Sequence, residues 1–237
     1  MPNIRSLHTD NVVQTLDKLI QFSLYTFAVF SIFSISVTQI AFTIGTLAWL
    51  LKIHLTKSWK ETKGTQVGIA ILFFCLACLL AVITSVDIES SYTHLKKLLQ
   101  FAIFFWTINT VQDERQRNLL IKLLIIAGTV AALNGFFQVW ETAVTIDSRV
   151  RGTMSHFMTF AGVLMLVSLM AFGRLLFHKP KEYWLLGSIG FICSCLLFTL
   201  TRQAWLGFFV GSVFLVFFWD KKYLLLIPLL LISLLLF

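Results

Sequence analysis

Two short stretches of the sequence carry arginines that could bind an anionic group. The first, Arg149-Val150-Arg151-Gly152, lies just before His156, and the second is centred on Arg202. Arginine stays charged at any physiological pH and holds phosphate oxygens through paired N–H···O bonds. A neutral histidine both donates and accepts hydrogen bonds, which suits a polar headgroup. We therefore predict that Arg202, Arg151, Arg149 and His156 bind a phosphate or diphosphate group.

Arg202 is the strongest of these candidates because of its surroundings. It is the only charged residue between Tyr183 and Trp219, and a charge in an apolar stretch with almost no loop is rare and usually functional. The alternative for every candidate is structural, because long basic side chains can extend to a membrane interface or pair with acids. For His156, interfacial packing is slightly favoured over a chemical role. The nearby acids are Asp87, Glu89, Glu141 and Asp147.

The composition indicates which elements must position these residues. Of the 237 residues, 58% are hydrophobic and only 13% are charged, whereas a soluble domain has about 25% charged residues. So few charges cannot cover a surface that faces water, which excludes a soluble enzyme, a nucleic-acid-binding protein and a disordered chain. The 24 Phe and 7 Trp residues likewise favour a lipid bilayer as the surroundings.

Hydropathy divides the chain into about nine apolar runs, each close to the roughly 20 residues that cross a bilayer as a helix. The fold class predicted is therefore all-α, a polytopic transmembrane helix bundle, with residues 1–237 forming one transmembrane domain. The predicted spans are Leu19–Ser36, Val37–Ile53, Val67–Val86, Leu95–Val111, Leu119–Val139, His156–Phe177, Tyr183–Leu200, Ala204–Trp219 and the final run Tyr223–Phe237.

The distribution of basic residues predicts the orientation of the bundle. Of the 19 Lys and Arg residues, 14 fall on one side of the predicted spans and five on the other. Because cytoplasmic loops carry the excess of positive residues, we expect the N-terminus in the cytoplasm. For Lys96 and Lys97, the two lysines on the outer side, we favour a structural role over ligand binding. The five outer residues are Lys96, Lys97, Arg149, Arg151 and Arg202.

The final run, Tyr223–Phe237, has only 15 residues, which is short for a crossing. A carboxylate buried in the hydrocarbon region is costly. We therefore expect this sequence to be the N-terminal part of a longer protein, with a re-entrant or tilted final helix as the alternative.

Cysteine and metal chemistry receive little support from the sequence. Cys75 and Cys78 have a CxxC spacing, but they lie in an unbroken apolar run, as do Cys193 and Cys195. A thiolate is unfavourable there, so we interpret all four as small buried hydrophobes. The sequence contains no metal-ligand motif such as HExxH, and neither a metal nor a cofactor is predicted.

Both arginine stretches resemble motifs of the O-antigen ligase and polymerase family of bacterial envelope enzymes. The stretch from Arg149 to Gly162 is similar to the family's pattern of an Arg, a Gly and then a His that opens a span. Leu200-Thr201-Arg202-Gln203-Ala204 resembles the family's Ser-x-Ser-Arg-x-Ala turn. Many members have Pro-Asn after the His, where this chain has Phe157 and Met158. The resemblance covers nearly the whole chain, although the family's members are longer.

This resemblance implies a metal-independent glycosyltransferase of the bacterial inner membrane. The expected donor is a glycan on undecaprenyl diphosphate, and the expected acceptor is a hydroxyl of the lipid A core or another glycan at the periplasmic face. Arg202, with Arg149 or Arg151, would stabilise the departing diphosphate. The family's catalytic base is thought to be a His on a large periplasmic loop beyond this region, so no catalytic residue is predicted here.

Other functions are compatible with the same features. Within the family, the chain could be an O-antigen polymerase or a protein O-oligosaccharyltransferase. A transporter or flippase for a lipid-linked or anionic substrate is a different class, although such proteins usually show charges inside spans and repeat symmetry. A structural membrane subunit is the third class. The lipid bilayer is a partner in every case, and no nucleic acid is expected.

Overall fold

The chain is helical throughout the part that the structure, a computed structural model, describes. That part comprises residues 4–58, 66–85, 87, 91–92, 95–141 and 149–220. It contains no strand. The α-helices are α1 (Ile4–Phe30), α2 (Ile35–Thr56), α3 (Gln66–Ile83), α4 (Ala102–Thr110), α5 (Glu114–Glu141), α6 (Phe157–Phe177), α7 (Trp184–Phe198) and α8 (Arg202–Trp219), and a 3₁₀ helix, Lys96–Phe101, precedes α4.

The helices follow the predicted spans closely, with two differences at the start of the chain. Helix α1 begins at Ile4, well before the predicted start at Leu19, because a helix can continue through polar residues that hydropathy does not register. It also ends earlier, at Phe30, whose carbonyl accepts hydrogen bonds from the backbone N–H groups of Phe33 and Ser34. The predicted ninth span, Tyr223–Phe237, lies outside the described residues.

Among the described residues, five helices are long and apolar enough to cross a membrane, namely α2, α3, α5, α6 and α8. Helix α7 is apolar but has only 15 residues. Helix α3 has no buried residue, so its apolar side chains require apolar surroundings outside this chain. The prediction of a multi-pass helical membrane protein is thus supported, whereas the count of nine spans is not confirmed.

The chain divides into two compact units. Unit 1 comprises Met1–Ala28 and Ser36–Leu119, and unit 2 comprises Val29–Ile35 and Leu120–Phe237. In unit 1, the wholly buried Trp106 packs edge-on against Phe27 and Phe42. Its indole also lies so close to Gly45 that a Cβ at this position would be 2.2 Å from the ring. A side chain at residue 45 would displace the tryptophan that joins α1, α2 and α4.

Unit 2 is built around one face of α6. Phe160, Leu164, Val167 and Ala171 recur at helical spacing and are at most 4% exposed, which is the pattern of a buried helix face. Small residues on α5 allow close approach to this face. A Cβ added to Gly128 would lie 2.7 Å from Val167. Helices α7 and α8 pack on the other sides of α6, so α6 is the central element that aligns its neighbours.

Candidate functional site

The contacts between α6 and α8 place the two predicted arginine motifs at the same end of unit 2. Three pairs of residues face each other along these helices, Met165 with Gly207, Leu169 with Gly211 and Gly173 with Leu215, and each pair is separated by 42 residues. A constant separation means that the helices run parallel in one register. It places Arg202 level with Phe160, one helical turn or about 6 Å along the axis from His156. We call this end of unit 2, with Arg149, Arg151, His156 and Arg202, the open end.

The segment before α6 is anchored by Val150. This side chain is 3% exposed and belongs to the hydrophobic core of unit 2. Arg151 is exposed and Arg149 is half-buried. Burial of the valine thus holds the backbone of this segment against the core of unit 2.

Gln138, a residue that the sequence did not suggest, holds the backbone of this segment. Its Oε1 atom accepts hydrogen bonds from the backbone N–H groups of Arg151 and Gly152, at 3.3 and 3.0 Å. Its Nε2 atom donates to the carbonyl of Gly152 at 2.7 Å. One side chain of α5 therefore makes three bonds to the segment that carries two candidate arginines, and it positions them without facing a ligand itself.

Gly152 is required at its position for two reasons. Its φ angle is +57°, in the left-handed region that costs other residues about 1–2 kcal/mol. A Cβ there would also lie 2.3 Å from the buried ring of Phe160. The next residue, Thr153, donates its hydroxyl to the carbonyl of Ile32 at 2.7 Å. The Gly in the family-like motif is thus explained by the turn itself.

His156 caps the N-terminus of α6. Its Nδ1 atom accepts a hydrogen bond of 3.2 Å from the backbone N–H of Met158, so Nδ1 carries a lone pair and the proton of the neutral ring is on Nε2. The imidazole is exposed and stacks on Phe157, with ring centroids 4.5 Å apart. In this geometry His156 presents a hydrogen-bond donor, which fits an anionic oxygen and does not fit a general base.

Phe157 also contacts Arg149. The guanidinium carbon of Arg149 lies 4.7 Å from the centroid of the Phe157 ring, within the range of a cation–π interaction. Arg149 has a further interaction within the structure. It is therefore more restrained than Arg151. The aromatic residue at 157, where many members of the resembled family have Pro, is the common support of one arginine and the histidine.

A compact turn between α7 and α8 positions Arg202. The carbonyl of Leu196 accepts hydrogen bonds from the buried hydroxyl of Thr199, at 2.7 Å, and from the indole Nε1 of Trp205, at 2.9 Å. Leu200 adopts a φ angle of +50°, which ends α7 and reverses the chain. The buried Thr201 then precedes α8. Arg202 is the first residue of α8 and is exposed.

The open end carries two arginines, Arg151 and Arg202, whose charges are not neutralised by any carboxylate in the described part of the chain. Among the described residues, no carboxylate forms an ion pair with Arg151 or Arg202, and both side chains face outward. The backbone amides at the starts of α6 and α8 add partial positive charge at the same end. Glu141 is exposed, and Glu89 and Asp147, two acids proposed above as structural partners, lie outside the described residues.

The opposite end of unit 2 carries a different cluster, which we call the closed end. Glu182 accepts hydrogen bonds from Arg174 Nε at 3.2 Å and Nη2 at 3.0 Å, and pairs with Lys122 at 2.9 Å. The Arg174 side chain is only 5% exposed. The hydrogen bond from Arg174 is the main cause that lowers the pKa of Glu182 from its ordinary 4.5 to about 2, against a smaller opposing effect of burial.

Metal binding has no site within the part of the chain that the structure describes. No three His, Cys, Asp or Glu side chains there are grouped as metal ligands would be. The four cysteines are free thiols, and Cys195 is wholly buried next to Gly135.

Comparison with known proteins adds no relative to this description. No family model, no curated protein and no solved structure matches the chain. The likeness to the O-antigen ligase and polymerase family therefore stays a prediction from the two motifs, and the function is argued below from the open end itself.

Proposed function

We propose that this chain forms the donor-binding part of an O-antigen ligase-type glycosyltransferase of the bacterial inner membrane. The observation that carries the proposal is the open end of unit 2. There, Arg151 and Arg202 are exposed without an acid partner among the described residues, and His156, whose position along the helix axis is one turn from that of Arg202, presents an Nε2–H donor. This set of donors matches a diphosphate. With the N-terminus in the cytoplasm, the open end faces the periplasm.

In this proposal the glycan leaves undecaprenyl diphosphate and joins an acceptor hydroxyl, such as one on the lipid A core. A bond forms between the acceptor oxygen and the anomeric carbon, and the bond from that carbon to the diphosphate oxygen breaks. Negative charge develops on the departing diphosphate, and the guanidinium groups of Arg151 and Arg202 stabilise it through charge-assisted hydrogen bonds. The proton of the acceptor goes to a base that the proposal does not assign to His156, because its Nε2 already carries a proton.

Positioning is the second part of the proposal. Gln138 and Gly152 fix the segment of Arg151, and the Thr199–Thr201 turn fixes Arg202. A site prepared in this way does not need to reorganise as charge develops, which is the source of its catalytic advantage. O-antigen polymerase and protein O-oligosaccharyltransferase activities use the same donor chemistry and differ in the acceptor.

The proposal is tested with the complete protein reconstituted in liposomes that contain an undecaprenyl-diphosphate-linked glycan and a lipid A core acceptor. We expect a covalent glycan–acceptor product in the presence of a chelator, and its loss when Arg202 is replaced by Ala. Arg117→Ala is the matched control, since Arg117 is also exposed but pairs with Glu114 in unit 1. Movement of the donor across the bilayer without any covalent product would instead establish a transporter or flippase.

A further inference from the structure

Helices α6 and α8 end at the same level, on the side of unit 2 away from the open end. Because facing residues of the two helices are always 42 positions apart, their last residues, Phe177 and Trp219, are level along the helix axis. Helix α8 has no charged residue from Gln203 to Trp219. Its 18 residues span about 27 Å, close to the roughly 30 Å of a hydrocarbon core. The apolar interior of a bilayer would therefore end at the level of Phe177 and Trp219.

Exposed aromatic side chains collect at this level. The last residues of α6 and α8 are both exposed, and Tyr183 and Trp184 at the start of α7 are 74% and 42% exposed. The Nε1 atom of Trp184 donates to Glu182 at 3.3 Å, and Glu182 also accepts from Arg174 near the end of α6, so this indole lies beside the last turns of α6. Tryptophan and tyrosine are enriched where a bilayer meets water, because they combine an apolar body with a polar edge.

Lys181 holds a positive charge at the same level. Its ammonium group donates to the carbonyls of Leu175 and Leu176, at 2.8 and 2.7 Å, in the last turn of α6. It also lies 6.0 Å from the centroid of the Trp219 ring, at the limit of a cation–π interaction. These contacts hold the ammonium group at the ends of both helices. They are made to uncharged groups, so the positive charge is retained, and the two carbonyls use only two of the three N–H donors of an ammonium group.

The positive charge beside these helix ends is not cancelled within the described part of the chain. There, no carboxylate forms an ion pair with Lys179 or Lys181, and both side chains are exposed. Two acids lie nearby in the sequence. Glu182 is bound by the cations of the closed end, and Asp220 has an interaction of its own within the structure. After Asp220 the sequence continues with Lys221–Lys222, which add charge of the same sign.

We call these exposed basic and aromatic side chains the interfacial rim, which comprises Phe177, Lys179, Lys181, Tyr183, Trp184 and Trp219. From their arrangement we infer that the interfacial rim binds the headgroup of an anionic phospholipid. The lipid phosphate accepts the remaining N–H of Lys181, and the aromatic side chains contact the glycerol and the upper acyl chains. Basic residues at a bilayer surface attract anionic lipids in this way. A free anion fits less well, because it would leave the exposed rings in contact with water. The inference goes beyond the proposed function and does not rest on it, because no residue of the interfacial rim belongs to the open end.

The inference is tested with the complete protein in nanodiscs made of equal parts of phosphatidylcholine and phosphatidylglycerol. Native mass spectrometry of the released protein measures how much of each lipid stays bound. We expect phosphatidylglycerol to be retained in preference to phosphatidylcholine. Equal retention of the two lipids would overturn the inference. Loss of the retained phosphatidylglycerol on addition of inorganic phosphate at constant ionic strength would also overturn it, because the site would then be one for free anions.

Charge variants of Lys181 connect the retention to the interfacial rim. Lys181→Gln removes the charge but keeps an N–H donor for the carbonyls at the end of α6. It should lower retention of phosphatidylglycerol roughly five-fold, which is the effect of one basic residue near an anionic bilayer surface. Lys181→Arg keeps the charge and should retain the lipid. Should Lys181→Gln fail to fold, Lys179→Gln provides a second test with a decrease in the same direction.

The matched control is Arg117→Gln, which removes an exposed arginine that is paired with Glu114 and should leave retention unchanged. The inference is wrong if Lys181→Gln retains as much phosphatidylglycerol as the natural protein. It is also wrong if Lys181→Arg or Arg117→Gln lowers retention as much as Lys181→Gln does, because the charge at residue 181 would then not be what binds the lipid.

Discussion

The two ends of unit 2 use the same kinds of basic side chain in opposite settings. At the closed end, Arg174 and Lys122 surround the carboxylate of Glu182, and the arginine is almost fully buried. At the open end, Arg151 and Arg202 are exposed and face no carboxylate among the described residues. A buried cation must be paired to be tolerated, whereas an exposed one can stay available. The comparison separates a charge that holds helices together from a charge that can hold a ligand.

The two ends of unit 2 also differ in the groups that hold their basic residues in position. At the closed end Glu182, a side chain, provides both the position and the neutralising charge. At the open end the position comes from uncharged groups, namely the amide of Gln138 and the turn around Thr199. Neutral supports hold the backbone that carries an arginine without cancelling the charge of its side chain. We take this division between support and charge as the physical mark of a binding site.

The largest expected effect is on transfer activity when Arg202 is changed. Arg202→Ala should lower glycan transfer roughly 100- to 1,000-fold, since removal of one fixed donor from a transition-state site has an effect of this size. Because Arg202 is exposed, the free energy of unfolding should change by less than about 0.5 kcal/mol. Transfer kinetics and a thermal unfolding curve of the complete protein measure the two effects.

Two further variants sharpen this first prediction. Arg202→Lys keeps the charge but loses the paired geometry, and we expect it to be almost as inactive as Arg202→Ala. Gln203→Ala changes the neighbouring exposed residue of α8 and should retain full activity. If both Arg202 variants transfer glycan at the normal rate, the diphosphate site is not at Arg202, and the contrast between the two ends loses its functional meaning.

The closed end should show the reverse pattern, with an effect on stability. Arg174→Ala leaves Glu182 with a weaker set of partners and should lower the free energy of unfolding by about 3 kcal/mol. Arg117→Ala removes an arginine from a pair that is more than 60% exposed on both sides and should cost less than about 1 kcal/mol. Unfolding experiments in detergent measure the loss of free energy for both variants. Equal losses would show that burial of the arginine does not matter here.

A third prediction concerns the support of the open end. Gly152→Ala requires the left-handed backbone of an alanine and brings its Cβ against Phe160, so we expect a loss of about 2 kcal/mol in stability. Gly187→Ala is the control, because this glycine lies within α7 with no atom near its position. Alanine there should be neutral or stabilising by up to about 1 kcal/mol. Thermal unfolding of the two variants should therefore move in opposite directions.

The sequence directed attention to residues of the open end and not to those of the closed end, because only the former are marked by a local pattern. Arg202 stands alone in an apolar stretch, and Gly152 and His156 lie within five residues of Arg151, so their type and spacing could be recognised locally. The role of Gln138 depends on a contact across 14 residues, and a glutamine in a helix is not distinctive. The long apolar helices were predictable from hydropathy, but the register of α6 and α8 required the contacts at the glycines of these two helices.

The closed end was missed for a related reason. Lys122, Arg174 and Glu182 lie on α5, on α6 and in the loop after it, so no short pattern contains all three. The basic residues contributed only to the count that predicted orientation, and an acid in a loop after a helix is ordinary. Their cluster follows from the antiparallel packing of α5 and α6, which brings the start of one helix close to the end of the other. Long-range pairing of this kind is set by packing and not by periodicity.

The smallest expected effect is the pH dependence of the closed end. In the folded protein the pKa of Glu182 is about 2, below its ordinary value of 4.5. The unfolded chain therefore takes up the proton first as the pH falls, so this carboxylate stabilises the fold above about pH 4.5 and loses its contribution between pH 4.5 and 2. Solvent screening limits the change to about 1 kcal/mol.

The measurement is the difference in unfolding free energy between the natural protein and Glu182→Gln, which should be constant above pH 5 and shrink toward pH 2. A difference that does not vary with pH would mean that the carboxylate is not held by Arg174. Replacement of Arg202 at the open end should not change how the unfolding free energy depends on pH over this range.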